Sequence, residues 1–178
     1  MTDTTNTPDG AHLPDDDPSR ELTVADPDAP GAQHISLAGN TYTMLITGEQ
    51  TGGRYCLIDM LVPDGSGPPP HRHDFEEMFT VLDGQVDFTF RGRTRTVPAG
   101  STVNIPANAP HFFKNTSGAP VRMLCMCTPA GQDEYFVQVG DPVDSRTAPP
   151  PPLSPEELVD RRRRAGELAA RYSTEMLS

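Results

Sequence analysis

Apolar and polar residues alternate along the middle of the chain. The clearest case is the segment 85–91, where Val86, Phe88 and Phe90 alternate with polar neighbours, as in an antiparallel strand with one buried face. An Asp-Gly pair at 83–84 separates this segment from an apolar run at 75–82 and predicts a hairpin. Other segments with strand character are short and evenly spaced: 41–47, 54–62, 93–97, 101–105, 111–114, 121–127 and 134–139. So many short strands predict an all-β barrel or sandwich.

The two ends of the chain have a different composition. Residues 1–30 are rich in Asp and Pro and poor in large apolar side chains, so we expect a disordered N-terminal tail, or an arm that becomes ordered against a partner subunit. Residues 31–141 would form the barrel, and residues 142–153 a proline-rich connector. Residues 154–178 would form a C-terminal helix, because a serine, a proline and a glutamate there match the start signals of a helix: Ser154, Pro155 and Glu157.

Histidines supply the candidate chemistry. His71 and His73 are one residue apart, and Glu77 follows four residues after His73. Residues two apart on a strand point to the same face, so these three side chains can reach one point. His111 would complete a site of three imidazoles and one carboxylate for a divalent metal. The two remaining histidines, His12 and His34, are expected on the surface.

Glycine and proline frame these residues at regular intervals. The first segment runs from Gly65 to Gly84 and contains His71, His73 and Glu77. The second contains Gly92, Pro98, Gly100, His111 and Asn115. In these paired motifs the chain resembles the cupin family, over roughly residues 34–140. The resemblance implies a double-stranded β-helix, or jelly-roll barrel, that holds one divalent metal ion. It also implies the ligands His71, His73, Glu77 and His111. Iron, nickel, manganese, cobalt, copper and zinc are all compatible with this donor set.

The side chains around the metal should determine which small molecule binds. If Glu77 faces inward, strand alternation favours an aromatic pocket wall around it, with core packing as the alternative role: Phe75, Phe79, Phe88 and Phe113. Glu77 is also the candidate catalytic base, because a carboxylate that loosens from a metal can accept a proton. Quercetinase-like cupins offer a precedent for a glutamate at this position.

Three functions are compatible with these motifs. The first is a metal-dependent dioxygenase, similar to quercetinases, that uses dioxygen on an enol- or phenol-type small molecule. The second is a non-redox enzyme of the isomerase, decarboxylase or polyketide cyclase type, with the metal as Lewis acid. The third is a non-catalytic module that binds a small molecule. Because one fold hosts many activities, the motifs alone do not choose among the three.

Charge and cysteine content indicate which partners and which cellular compartment to expect. The net charge of −11 argues against a nucleic-acid partner, and no apolar run approaches the roughly 20 residues that cross a bilayer. The N-terminus lacks the features of a signal peptide, so we expect a cytoplasmic protein. Strand edges and an apolar helix face predict a homodimer. The three cysteines are expected as free, buried thiols, with a catalytic or metal-binding thiol as the alternative: Cys56, Cys125 and Cys127.

Overall fold

Twelve strands and three α-helices follow one another in the computed structural model, which describes residues 14–177. The strands are β1 (His34–Leu37), β2 (Asn40–Ile46), β3 (Cys56–Val62), β4 (His71–His73), β5 (Glu76–Asp83), β6 (Gln85–Phe90), β7 (Arg93–Pro98), β8 (Thr102–Ile105), β9 (His111–Lys114), β10 (Val121–Thr128), β11 (Asp141–Val143) and β12 (Thr174–Met176). The helices are α1 (Gly48–Thr51), α2 (Gln132–Val139) and α3 (Pro155–Ala169).

The strands form two antiparallel sheets that enclose the core. One sheet has the order β11-β1-β2-β3-β10-β5-β8, and the other has the order β12-β4-β9-β6-β7. Alternation decides which side chains face inward: in β10, Val121, Met123, Cys125 and Cys127 are buried, and the residues between them are partly exposed. The predicted all-β jelly-roll fold with a C-terminal helix is confirmed.

The segment 134–139, which we expected to be a strand, belongs to helix α2 instead. Its large apolar side chains Tyr135, Phe136 and Val139 are buried, at a spacing that fits one face of a helix. The carboxylate of Asp133 fixes the first turn of α2, since it accepts hydrogen bonds from the backbone N–H groups of Gly48 (2.7 Å) and Gly131 (3.2 Å). This tertiary anchor overrides the strand-like composition of the segment.

The C-terminal helix begins as the sequence predicts but ends earlier. Ser154 accepts a hydrogen bond from the backbone N–H of Glu157, and the Glu157 carboxylate accepts one from the N–H of Ser154. The helix α3 stops at Ala169, and Ser173 adopts a left-handed conformation with φ of 53°. The chain then returns as β12, which pairs with β4. The helix prediction for 154–178 is therefore corrected over 174–176.

The described part of the N-terminal segment lies outside the sheets. Residues 14–30 contain turns but neither helix nor strand, and most of them are exposed. Arg146 forms a two-point ion pair with Asp28. His12 lies outside the described residues. His34 is buried rather than on the surface, because it opens β1 and its Nδ1 lies 2.8 Å from the hydroxyl of Thr43. No helix within residues 14–177 combines the length and the apolar character that crossing a membrane requires.

Candidate metal centre

Four predicted side chains converge between the two sheets. His71 and His73 belong to β4, His111 lies opposite His71 on the neighbouring strand β9, and Glu77 comes from β5 in the other sheet. One potential ligand atom from each of the four lies within 4.8 Å of the others. His73, His111 and Glu77 are almost fully buried, and His71 is partly exposed. The fold thus brings together two distant segments of chain, as the motifs predict.

The backbone fixes the orientation of all three imidazole rings. In each histidine, Nδ1 lies 2.9 or 3.0 Å from a backbone carbonyl oxygen two residues away, to which it donates a hydrogen bond. The acceptors are Pro69 for His71, Phe75 for His73 and Ala109 for His111. A neutral imidazole that donates through Nδ1 keeps a lone pair on Nε2. The three Nε2 atoms are therefore presented as ligand atoms, in the way that metal-binding histidines are held in other proteins.

The carboxylate of Glu77 faces two of these nitrogens. Its Oε2 lies 3.0 Å from Nε2 of His73 and 3.1 Å from Nε2 of His111. When the rings are neutral, all three atoms carry lone pairs and repel one another, unless a proton or a cation lies between them. A divalent cation satisfies the whole group at once, and imidazole with carboxylate is a donor set that divalent transition metals accept. The residues present therefore fit a metal ion.

Electrostatics keeps the cluster in the protonation state that metal binding needs. Burial, and then the neighbouring His111, lower the pKa of His71 to about 4, so this ring is neutral at pH 7. Burial raises the pKa of Glu77, but the close contacts of its carboxylate with the His111 and His73 rings outweigh burial and hold that pKa well below its usual range. A neutral imidazole and an ionised carboxylate are the ligand forms of these groups.

Two thiols contact the other oxygen of Glu77. The Sγ atoms of Cys125 and Cys127 lie 3.3 and 3.8 Å from Oε1 of Glu77, and 3.7 Å from each other. The adjacent Cys127 lowers the pKa of Cys125, but burial and the Glu77 charge raise it to about 12. Cys125 therefore remains a thiol and donates a hydrogen bond that orients the carboxylate. Alternation along β10 placed these thiols inside, but their contact with Glu77 depends on the pairing of β10 with β5.

A cavity of about 790 Å³ opens from the cluster. Its wall includes His71 and Glu77 together with apolar side chains from the barrel: Tyr42, Met60, Phe79 and Phe113. Further wall residues come from α2, α3 and β12 and include Tyr135, Phe136, Leu158, Ala165 and Met176. The contribution of these last elements could not be read from the two motifs.

The four phenylalanines of the expected pocket occupy different places. Phe79 and Phe113 line the cavity. Phe75 does not, because its ring stacks on that of His73 with the centroids 3.8 Å apart, and it borders a separate cleft of about 700 Å³. Phe88 lies in the core behind the wall, 5.2 Å from Phe79 and 5.8 Å from Phe113 between ring centroids. Phe88 therefore supports the cavity wall without forming part of it.

Comparison with known proteins agrees with this geometry. Residues 58–127 match the family model described as cupin domain, and this range includes all four clustered residues. Quercetin 2,3-dioxygenase of Bacillus subtilis is 28% identical over 121 residues, which are 67% of this chain and 35% of that protein. An uncharacterized protein of Methanocaldococcus jannaschii is 32% identical over 79 residues, 44% of this chain and 63% of that one. The chain thus spans less than two thirds of either relative.

The structural match indicates the same fold. A protein of Thermotoga maritima, described as a predicted oxalate decarboxylase, superimposes with a TM-score of 0.53 and 21% identity. The superposition covers 60% of this chain and 99% of that one. At this level of identity the likeness concerns the barrel and not its activity.

Proposed function

We propose that the chain, of which residues 58–127 match the cupin domain model, is a metal-dependent dioxygenase that acts on an enol- or phenol-type small molecule. One observation carries the proposal: two members of the four-residue cluster, His71 and Glu77, lie in the wall of a large, mostly apolar cavity. A buried structural metal site would be closed off by protein, whereas a catalytic site keeps a path to solvent or substrate. The partly exposed His71 and the buried Glu77 both face this cavity.

His71, His73, Glu77 and His111 would hold one divalent ion. Four protein ligands leave an ion that prefers six with room for oxygen atoms of a substrate. When bound, the ion would supply Lewis acidity and, if redox-active, electron transfer to dioxygen. The donor set suits iron, nickel, manganese, cobalt, copper and zinc, so the metal has to be found by analysis of the protein.

The side chains around the ion have roles of their own. Glu77 lies in the cavity wall, where a carboxylate oxygen can accept the proton of a substrate hydroxyl. The thiol of Cys125, which also lines the cavity, donates a hydrogen bond to Oε1 of this carboxylate at 3.3 Å. Phe79 and Phe113 would pack against an aromatic ring and exclude water from the reacting atoms.

A similarity supports the choice of dioxygenase among metal-dependent reactions. The matching relative from Bacillus subtilis is named quercetin 2,3-dioxygenase, and the match extends over 67% of this chain. Since the match covers only 35% of that protein, we propose the class of reaction and not its substrate.

The test begins with elemental analysis of freshly purified protein, followed by oxygen uptake with a panel of flavonols and related enols. We expect about one metal ion per chain, and oxygen consumption in step with loss of substrate. The His73→Ala variant should lose both. The matched control is His34→Ala, which removes a buried histidine outside the cluster. Turnover without oxygen would indicate the non-redox reaction instead, and binding without any turnover would indicate a binding module.

A further inference from the structure

Gln132, the first residue of α2, has a buried side chain without a partner for its oxygen. The residue is 8% exposed and lines the cavity that contains Glu77. Within residues 14–177, its Oε1 has no hydrogen-bond partner. An unpaired buried acceptor is destabilising, and such groups in folded proteins call for an explanation. A ligand hydroxyl in the cavity would supply the missing donor.

The anchoring of α2 does not explain this amide. The adjacent Asp133 carries out that task, through its hydrogen bonds with Gly48 and Gly131. Tyr135 and Phe136 on the same helix pack into the core and line the same cavity. The amide of Gln132 therefore lies at a fixed position in the wall, and its polar atoms remain available to a ligand.

Tyr42 brings a second polar group to the wall. Its ring contacts that of Phe136, with 4.1 Å between centroids, and also lines the cavity. Its hydroxyl accepts a hydrogen bond from Nδ2 of Asn40 at 3.2 Å and donates none within the described part of the chain, where Oδ1 of the same Asn40 amide is also unpaired. Burial raises the pKa of Tyr42, so the hydroxyl keeps its proton at neutral pH. Tyr42 can thus donate to a ligand oxygen.

We infer that Gln132 and Tyr42 form a hydrogen-bonding subsite for a neutral hydroxyl group on the body of an aromatic ligand. The hydroxyl would donate to Oε1 of Gln132, and a ligand oxygen would accept from Tyr42. The inference rests on the proposed function, in which a different oxygen of the same ligand binds at the metal. It adds that the preferred substrate is hydroxylated away from its metal-binding group. A site built to pair a hydroxyl discriminates strongly against the analogue that lacks it.

The probes are 3-hydroxyflavone, which offers only a metal-binding hydroxyketone, and its derivatives with one further hydroxyl at each ring position. Binding is measured by calorimetry on the full chain loaded with metal. We expect at least one derivative to bind about tenfold more tightly than the parent compound, as one net hydrogen bond provides. Gln132→Leu should abolish this increment and leave the affinity for the parent compound within about twofold. Tyr42→Phe should reduce the increment.

A control variant on the same helix separates the subsite from general effects. Gln138 is exposed and hydrogen-bonded to the hydroxyl of Tyr172, away from the cavity wall, so Gln138→Leu should keep the full increment. Gln132→Leu should melt no lower than the wild type, because it removes an unpaired buried acceptor. A lower melting temperature would show that the amide has a structural partner and would overturn the inference.

The outcomes for the inference and for the proposed function are distinct. An increment that survives in Gln132→Leu, or parent binding without any increment, overturns the subsite and leaves the proposed function standing. If no probe binds, the parent compound included, both are overturned.

Discussion

Metal-linked thermal stability tests the candidate metal centre most directly. An ion that binds the folded chain and not the unfolded chain stabilises the fold by about 2.7 kcal/mol when free metal is a hundredfold above its dissociation constant. For a chain of 178 residues, 1 kcal/mol shifts the melting temperature by about 2–4 °C. The wild type should therefore melt about 5–11 °C higher with metal than after treatment with a chelator.

His73→Ala should lose this metal-dependent rise. The variant removes a ligand atom that lies 3.0 Å from the Glu77 carboxylate, and it also removes the ring that stacks on Phe75. Its metal-free baseline should fall for the second reason, so the informative quantity is the difference with and without metal. The His34→Ala control also loses a buried ring with a hydrogen bond, to Thr43. We expect its baseline to fall and its metal-dependent rise to persist.

Scanning fluorimetry over a titration with each of the six candidate metals measures these shifts, and elemental analysis of the same samples gives the stoichiometry. The ligand assignment would be refuted if His73→Ala kept the rise of the wild type. It would equally be refuted if His34→Ala lost it, because the ion would then lie near the other buried histidine.

Three further predictions concern the metal-free protein. His71 takes up a proton near pH 6.5 in the unfolded chain but only near pH 4 in the folded chain. The free energy of unfolding, measured by denaturant titration, should therefore fall as the pH is lowered from 6.5 to 4, by up to about 1.4 kcal/mol per pH unit. A free energy that does not change over this range would contradict the neutral ring. Gly67→Ala should lower the free energy of unfolding by about 2 kcal/mol or more, because Gly67 has a φ of 154° and a Cβ there would overlap the carbonyl oxygen of Phe113. Gly166→Ala, at an open helical position, should instead raise it by about 0.5–1 kcal/mol. Equal shifts in melting temperature for the two variants would refute this difference. In the native protein, Cys125 should react with a thiol reagent about a thousandfold more slowly than an ordinary cysteine, because its pKa is raised to about 12. Mass spectrometry should find all three cysteines labelled only after denaturation. Rapid labelling of the native protein would contradict their burial.

Only part of the ligand cluster could be predicted from the local rule of strand alternation. Strand alternation places His71 and His73 on one face, but Glu77 lies on β5 in the other sheet, so alternation along a single strand does not bring it to them. The paired glycine- and proline-framed motifs predicted that His111 joins the site, and it lies opposite His71. Helix α2 could not be predicted in this way. The apolar residues of its segment 134–139 fit the repeat of a strand as well as that of a helix. The deciding contact is the hydrogen bond that the Asp133 carboxylate accepts from the backbone N–H of Gly48, 85 residues away in sequence.

The C-terminal strand shows the same limit. The helix-forming composition continues to Arg171, and no local signal states that Thr174–Met176 leaves the helix to pair with β4. The reason lies in the sheet: β4 carries two of the clustered histidines, and without β12 it would be an exposed sheet edge. The strand therefore covers the sheet at the cluster, a requirement that only the assembled fold reveals.

Helix α2 and strand β12 lie outside the segment that holds the candidate metal ligands, so they can affect which small molecule binds without changing the metal centre. All four clustered residues lie within 58–127, the range that matches the cupin domain model. Gln132, Leu158 and Met176 also line the cavity, and they come from parts of the chain outside that range. Substitutions of the four clustered residues should change metal content, whereas substitutions of cavity residues in α2, α3 and β12 should change the relative affinity for different small molecules at constant metal content. A relative that shares the four ligands but not these elements is therefore a guide to the reaction and not to the substrate.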